Sequence, residues 1–388
     1  MRFAKRMERL GTESAFEVLA KAKALEAQGK FVVHLQIGEP DFDTPPNITE
    51  SAIKALKEGF THYGPSAGLP QFRKTIADYV SKTRNIEVKP EEVVVTPGGK
   101  PVIYFALTQL VQEGDEVIYP NPGYPIYESV INFCGAKAIP LPLLEKKDFR
   151  FEIDELKSLI TPRTRAIVIN SPQNPTGGIF EMADLEAIAD LCIKNDLYVF
   201  ADEIYSRIIY GGKHYSILSV PGMKERTIMM DGFSKTYAMT GWRLGYGIMP
   251  VEVAEQMSRM MTNVNSCTAT FVQIAGDEGL KGDQSYVDKM VAEFKKRRDI
   301  IVDGMNSIDG FRCKVPTGAF YVFPNIEGTG YRSKELAEYL LEEGGVACLS
   351  GAAFGKYGEG FLRFSYANSV ENIEKAIEMI KTALKKKK

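Results

Sequence analysis

The sequence predicts an α/β protein, with a large domain built on a mainly parallel sheet between helices and a smaller α+β domain made from both chain ends. Three observations predict it. The middle of the chain alternates short apolar runs with amphipathic helical stretches, the pattern of strands covered on both faces. From about Gly282 onward the pattern changes to long helices with brief strand-like pieces. The length, 388 residues, is roughly two or three domains of chain. The expected boundaries are 1–46 for an N-terminal arm and part of the small domain, 47–282 for the large domain and 283–388 for the rest of the small domain.

Each element has a local reason. Ser14-Ala15-Phe16-Glu17 has the form of a capping box, with Ala15, Val18, Leu19, Ala22 and Leu25 at helical spacing behind it. Gly29 is the expected stop. Phe31–Ile37 reads as a short strand ending at Gly38, and Pro45-Pro46 breaks the chain before another helix. Val93–Thr96, Glu116–Tyr119, Arg165–Asn170, Tyr198–Ala201, Thr227–Met230 and Arg243–Ile248 read as buried strands, and Met182–Ile193 as one of the helices between them. Val287, Met290, Val291, Phe294 and Ile301 mark a long helix. Strand-like pieces follow at Phe320–Phe323 and Leu362–Ser365, and Ile373, Ala376, Ile377, Ile380 and Leu384 mark a last helix. Lys385–Lys388 is expected to be a frayed basic tail.

Composition excludes several classes. Hydrophobic residues are 44% and charged residues 25%, the balance of a globular chain rather than a disordered one. Forty-eight cations against 50 anions leave a formal charge of −2, which is no basic surface for nucleic acid. No 18-residue apolar run predicts a membrane span, and Met1–Arg9 lacks the apolar stretch of a signal peptide. Five scattered cysteines without a CxxC fit reduced thiols and a cytoplasmic protein. Three dispersed histidines predict no metal site.

Familiar local motifs fail. Gly98-Gly99-Lys100 lacks the other residues of a phosphate-binding P-loop. Gly245-Tyr246-Gly247 lacks the third glycine of a dinucleotide fingerprint, and Gly232-Phe233-Ser234 fails the nucleophile elbow because position 236 is Thr. The informative residues instead cluster at the carboxyl ends of the predicted strands, where open α/β sheets bind ligands. Pro97-Gly98-Gly99-Lys100-Pro101 ends one strand and opens a helix, as an anion cradle would or an ordinary turn would. Ser171-Pro172-Gln173-Asn174-Pro175 is a rigid turn that can aim the Asn174 amide into a cleft. Asp202 follows a strand, as a cap or a buried acid. Lys235 stands between small residues with Arg243 nearby, as a surface charge or a low-pKa amine. Arg363 lies inside the apolar run Phe361–Phe364. There it faces solvent on an edge or, if buried, needs an anion that its forked guanidinium can grip. A cradle, an amine, an acid, a phenol, an amide and a carboxylate receptor make up the equipment for pyridoxal-phosphate chemistry on amino acids.

The chain resembles the class I/II aminotransferases, the fold-type I pyridoxal-phosphate enzymes, and is most similar to their bacterial and archaeal aspartate aminotransferase branch. The resemblance runs from Ile37-Gly38-Glu39-Pro40-Asp41-Phe42 to Arg363-Phe364-Ser365-Tyr366-Ala367. Its most specific stretches are Ser234-Lys235-Thr236-Tyr237-Ala238-Met239-Thr240-Gly241-Trp242-Arg243 and Asn174-Pro175-Thr176-Gly177 with Asp202-Glu203-Ile204-Tyr205. It implies pyridoxal 5′-phosphate as cofactor, attached to Lys235. Lys235, Asp202 and Tyr205 are the implied catalytic residues. Asp202 would pair with the ring nitrogen, Tyr205 and Asn174 with the ring oxygen, and Tyr124 would stack on the ring. Gly99, Ser234 and Arg243 would take the phosphate. Arg363 with the Gly38 backbone would hold the substrate carboxylate. Tyr63 would reach the phosphate of a partner subunit in a homodimer.

Lys100 matches a position that contacts the distal carboxylate of acidic substrates, with the phosphate or solvent as its other places. The resemblance thus implies ping-pong transfer from an L-amino acid, aspartate first, to 2-oxoglutarate. Phe16 and Ile37 are apolar where an acidic ligand needs polar partners, which leaves alanine, aromatic or broad specificity as alternatives. A carbon–sulfur β-lyase and a non-catalytic cofactor-binding regulator stand further off. For the regulator, the roughly 30 residues before the first strand leave no room for a DNA-binding domain.

Overall fold

The computed structural model describes residues 2–387; Met1 and Lys388, the outermost residues of the two terminal segments discussed above, lie outside them. Twelve strands are present among the described residues: β1 (Val33–His34), β2 (Val93–Thr96), β3 (Glu116–Asn121), β4 (Lys137–Pro142), β5 (Thr164–Asn170), β6 (Tyr198–Asp202), β7 (Thr227–Gly232), β8 (Gly245–Ile248), β9 (Tyr321–Val322), β10 (Val346–Ala347), β11 (Leu349–Ser350) and β12 (Leu362–Ser365).

The central sheet has seven strands in the order β2-β8-β7-β6-β5-β3-β4. Pairings among β3 to β7 are parallel, while β8 runs antiparallel to both β2 and β7. Its strands are apolar on both sides because both sides are covered. Val93, Val95, Ile167, Ile169, Val199 and Ala201 enter one core, while Val94, Ala166, Val168, Phe200 and Ile228 enter the other. This is the fold-type I α/β architecture. A third core joins the antiparallel sheet β11-β12-β9 to the helices Ser285–Asn306 and Val370–Lys387. β1 pairs in parallel with β10, so the start of the chain is woven into its last third.

Five sequence expectations change. Strand β4 was not anticipated: Pro140 and Pro142 disguise it, and they are tolerated because it is an edge strand. The stretch Arg243–Ile248 is strand only from Gly245, because Arg243 takes a left-handed turn at φ 55°. Phe31–Ile37 shrinks to Val33–His34, since its partner β10 is only two residues long. The helix Ser14–Ala27 begins at Ser14, so Glu13 holds the N-cap position and no side chain caps the helix. Lys385–Lys387 continue the last helix rather than fraying. No described helix is long and apolar enough to cross a membrane.

Candidate active site

The carboxyl ends of β2, β5, β6 and β7 open into one cleft of about 580 Å³. At one end the backbone turns tightly after β2. Thr96 Oγ1 donates to the Gly98 carbonyl at 2.6 Å, Gly98 sits at φ 89°, and the helix Lys100–Leu110 follows. A Cβ on Gly98 would lie 2.2 Å from Arg243 Nη2, and one on Gly99 would lie 2.5 Å from Met230 Sδ. Glycine is therefore required for the loop to lie against the guanidinium. Arg243 Nη1 donates to the Thr240 carbonyl at 2.7 Å. Ser234 lies in the short helix Phe233–Thr236 after β7 and also lines the cleft. A helix N-terminus, a guanidinium and a hydroxyl thus converge on one place suited to a phosphate.

Lys235 lies in the middle, and its Nζ donates to the Gly38 carbonyl at 2.5 Å. Burial lowers its amine to about 8; Glu39 opposes this shift and Arg363 adds to it. Beyond it, Asp202 is buried at the end of β6 and accepts from Tyr127 Oη at 2.7 Å and from the Ile204 amide at 3.1 Å. Burial pushes its carboxyl up to about 6 against the pull of those two hydrogen bonds. The Tyr205 and Tyr321 hydroxyls are 2.8 Å apart, and burial holds Tyr205 well above the usual phenol range.

Arg363 is buried on β12, not facing solvent. Its Nη1 donates to Asn174 Oδ1 at 3.0 Å and its Nη2 to the Gln36 carbonyl at 2.5 Å, and its guanidinium lies 4.4 Å from the Tyr321 ring centroid. Its Nε is buried without a hydrogen-bond partner among the described residues. A buried guanidinium with a free N–H is an incomplete site that an anion completes.

Lys100 forms an ion pair with Glu13 at the mouth, and Tyr124 Oη donates to the same Glu13 oxygen at 3.0 Å. The structure therefore gathers Gly38, Gly99, Lys100, Tyr124, Asn174, Asp202, Tyr205, Ser234, Lys235, Arg243 and Arg363 around one cavity. Tyr63 stands apart from that lining and is 88% exposed.

The family "Aminotransferase class I and II" matches residues 30–380. The chain belongs to the class I/II aminotransferases. It is 43% identical to the aspartate aminotransferase of Pyrococcus abyssi, covering 92% of this chain and 93% of that one. It is 39% identical to aromatic-amino-acid aminotransferase 2 of Thermococcus litoralis, covering all of both. Among solved structures, the aspartate aminotransferase of Thermus thermophilus with maleate superposes with a TM-score of 0.95 at 35% identity, covering 99% of this chain and 100% of that one.

This aminotransferase works with pyridoxal 5′-phosphate, an amino acid and a 2-oxo acid. The cleft fits that cofactor. The cradle that a Cβ at Gly98 or Gly99 would fill suits its phosphate, and the buried Asp202 suits a cationic ring nitrogen. Sequence reasoning missed three residues of the aminotransferase cleft. Tyr127 holds Asp202 from the first turn of the helix Ile126–Phe133, and its ring packs edge-on against Tyr124 at 5.7 Å. Tyr321 was hidden in an apolar run. Glu13 carries no motif.

Behind the cleft, Arg84 ends the helix Pro70–Arg84 and places Nη2 3.0 Å from both Glu203 and Asp231. His214 Nε2 lies 3.0 Å from Glu203, and Ser206 donates to Asp231 at 3.1 Å. Burial pushes Glu203 up, but His214 and Arg84 more than reverse this, to about 2.

Proposed function

We propose that the chain moves the amino group of an L-amino acid, aspartate first, to 2-oxoglutarate in a ping-pong cycle, as a cytoplasmic homodimer. One observation carries the reading: an amine with its pKa lowered to about 8 by burial lies between an anion cradle and a buried acid, beside a buried arginine whose Nε has no partner among the described residues.

Bound pyridoxal 5′-phosphate supplies a sink for the electron pair left when the substrate Cα loses its proton. Gly99, Ser234 and Arg243 hold its phosphate. Asp202, kept in place by Tyr127, keeps its ring nitrogen protonated. Asn174 gives its Oδ1 to Arg363 and keeps its Nδ2 hydrogens for the ring oxygen, beside Tyr205. Tyr124 packs on the ring. Lys235 would hold the cofactor, and its Nζ is the group that would take the proton from the substrate Cα. Arg363, with the Gly38 backbone, grips the α-carboxylate and turns the Cα–H bond toward Lys235. Tyr63, exposed outside its own cleft, reaches the phosphate held by a partner subunit.

Lys100 at the mouth supports a dicarboxylic substrate, as do the relatives named aspartate aminotransferase and the Thermus structure holding maleate, a dicarboxylate. A second reading, alanine, aromatic or broad specificity, is favoured by Phe16 and Ile37 in the cleft wall and by the Thermococcus relative.

A half-reaction screen tests both. Each amino acid is added to the holoenzyme, and loss of the cofactor's visible absorbance is followed together with release of the 2-oxo acid. Aspartate and glutamate are expected to bleach the enzyme in stoichiometric amounts; bleaching by aromatic donors with none by aspartate would overturn the first reading. Lys235→Ala is expected to lose the protein-bound absorbance and at least about 10³-fold in turnover.

A further inference from the structure

Glu13 has no part in the roles above, yet it lines the cleft. It stands at the N-cap of the helix Ser14–Ala27, where an acidic side chain ordinarily accepts a backbone N–H of the first turn. It makes no such bond. Its carboxylate turns instead into the cavity, where one oxygen takes both the Lys100 ammonium and the Tyr124 hydroxyl. The placement is anchored two residues earlier. The Gly11 amide donates to Ser129 Oγ at 2.9 Å, and that hydroxyl donates back to the Gly11 carbonyl at 3.2 Å. On the helix that follows, Phe16 lines the same cavity, with Ile37 beside it.

We propose that Glu13 is a specificity-determining residue, a resident carboxylate that covers Lys100 and so sets how strongly the cleft separates dicarboxylic from neutral amino donors. The proposal rests on the aminotransferase reading of the cleft given above. The reasoning is electrostatic. An uncovered Lys100 attracts a distal carboxylate, and it penalises an apolar side chain that strips its water without pairing it. With Glu13 in place the mouth is locally neutral, and Phe16 and Ile37 offer apolar contact to a neutral or aromatic side chain. An acidic donor must then compete with Glu13 for Lys100. The cleft accordingly accepts both classes, at the cost of weaker preference for the acidic one.

The variant Glu13→Gln keeps the size of the side chain and removes its charge. Two quantities are read on the holoenzyme. The first is the ratio of kcat/KM for aspartate to that for phenylalanine. The second is the Kd of maleate, a dicarboxylate without an amino group, taken from the change it causes in the resting absorbance. The ratio is expected to rise about five- to tenfold, carried by KM, and maleate to bind about five- to tenfold tighter; Lys100 is partly exposed, so larger effects are not expected. In a Lys100→Met background the same Glu13→Gln change is expected to alter neither quantity, because the cation it covers is gone. An unchanged ratio and an unchanged maleate Kd in Glu13→Gln, in an enzyme that still bleaches with its donors, would overturn the role of Glu13 alone. A wild-type enzyme that no amino donor bleaches would overturn the functional reading and this one with it.

Discussion

Lys235 owes its reactivity to where its carbon chain ends. With the amine lowered to about 8 by burial, about a tenth is neutral at pH 7, against about 0.03% for a lysine at its ordinary value. Only the neutral amine attacks a carbonyl. The rate at which cofactor-free protein captures pyridoxal 5′-phosphate is therefore expected to rise about tenfold per pH unit from pH 6 and to level off near pH 8. Stopped-flow absorbance at a series of pH values checks this, and a rate still climbing tenfold per unit at pH 9.5 would contradict it. The resemblance singled out Lys235, Asp202 and Arg363; their positions alone left each open between a cap or surface charge and a buried group, and the structure places all three in the cleft lining. Tyr127 and Glu13 were not singled out. A tyrosine on an amphipathic helix looks like any core aromatic, and a glutamate ahead of a helix looks like any cap.

Among the elements, the turn between β2 and its helix is tightly constrained. Gly98 has a left-handed φ and no room for a side chain against Arg243. Gly98→Ala must either strain that turn or push the guanidinium away, at a cost of about 1–2 kcal/mol. Cofactor affinity is expected to fall about tenfold, measured by titrating cofactor-free protein; an unchanged Kd would mean that the turn relaxes freely. Most strands of the central sheet were legible as apolar runs bounded by turn residues, because burial on both faces removes the polar alternation. The exceptions have local causes. Lys137-Ala138-Ile139-Pro140-Leu141-Pro142 reads as a loop since only an edge position excuses its prolines. Arg243 reads as the first strand residue since nothing in a run of residue types announces a left-handed φ.

For the whole molecule, the ion cluster behind the cleft ties a helix to two adjacent strand ends. Arg84 is buried between Glu203 and Asp231, which sit beside Asp202 and four residues before Lys235. Burial alone would lower its guanidinium, but Glu203 and then Asp231 more than offset this. Arg84→Met would leave both carboxylates buried without their cation, and it is expected to destabilise the fold by about 3–5 kcal/mol. The midpoint of chemical denaturation checks this; a midpoint equal to that of the parent would show that the acids find other partners. The change of pattern near Gly282 was legible: beyond it lie the long helix Ser285–Asn306 and the short strands β9 to β12. The pairing of β1 with β10 was not, since two-residue strands leave no periodicity to read.

That pairing bears on how the chain is made. Gln36 and Arg363, which meet at the cleft, are 327 residues apart. At roughly 5–20 residues per second, a ribosome delivers the second about 15–65 s after the first. Through most of that interval the apolar residues Val32, Val33 and Leu35, buried in the folded chain, lack the partner strand β10. A nascent or truncated chain thus carries an unsheltered sticky segment near its start. Its vulnerability to aggregation lies next to Gln36, whose carbonyl later receives the Arg363 guanidinium.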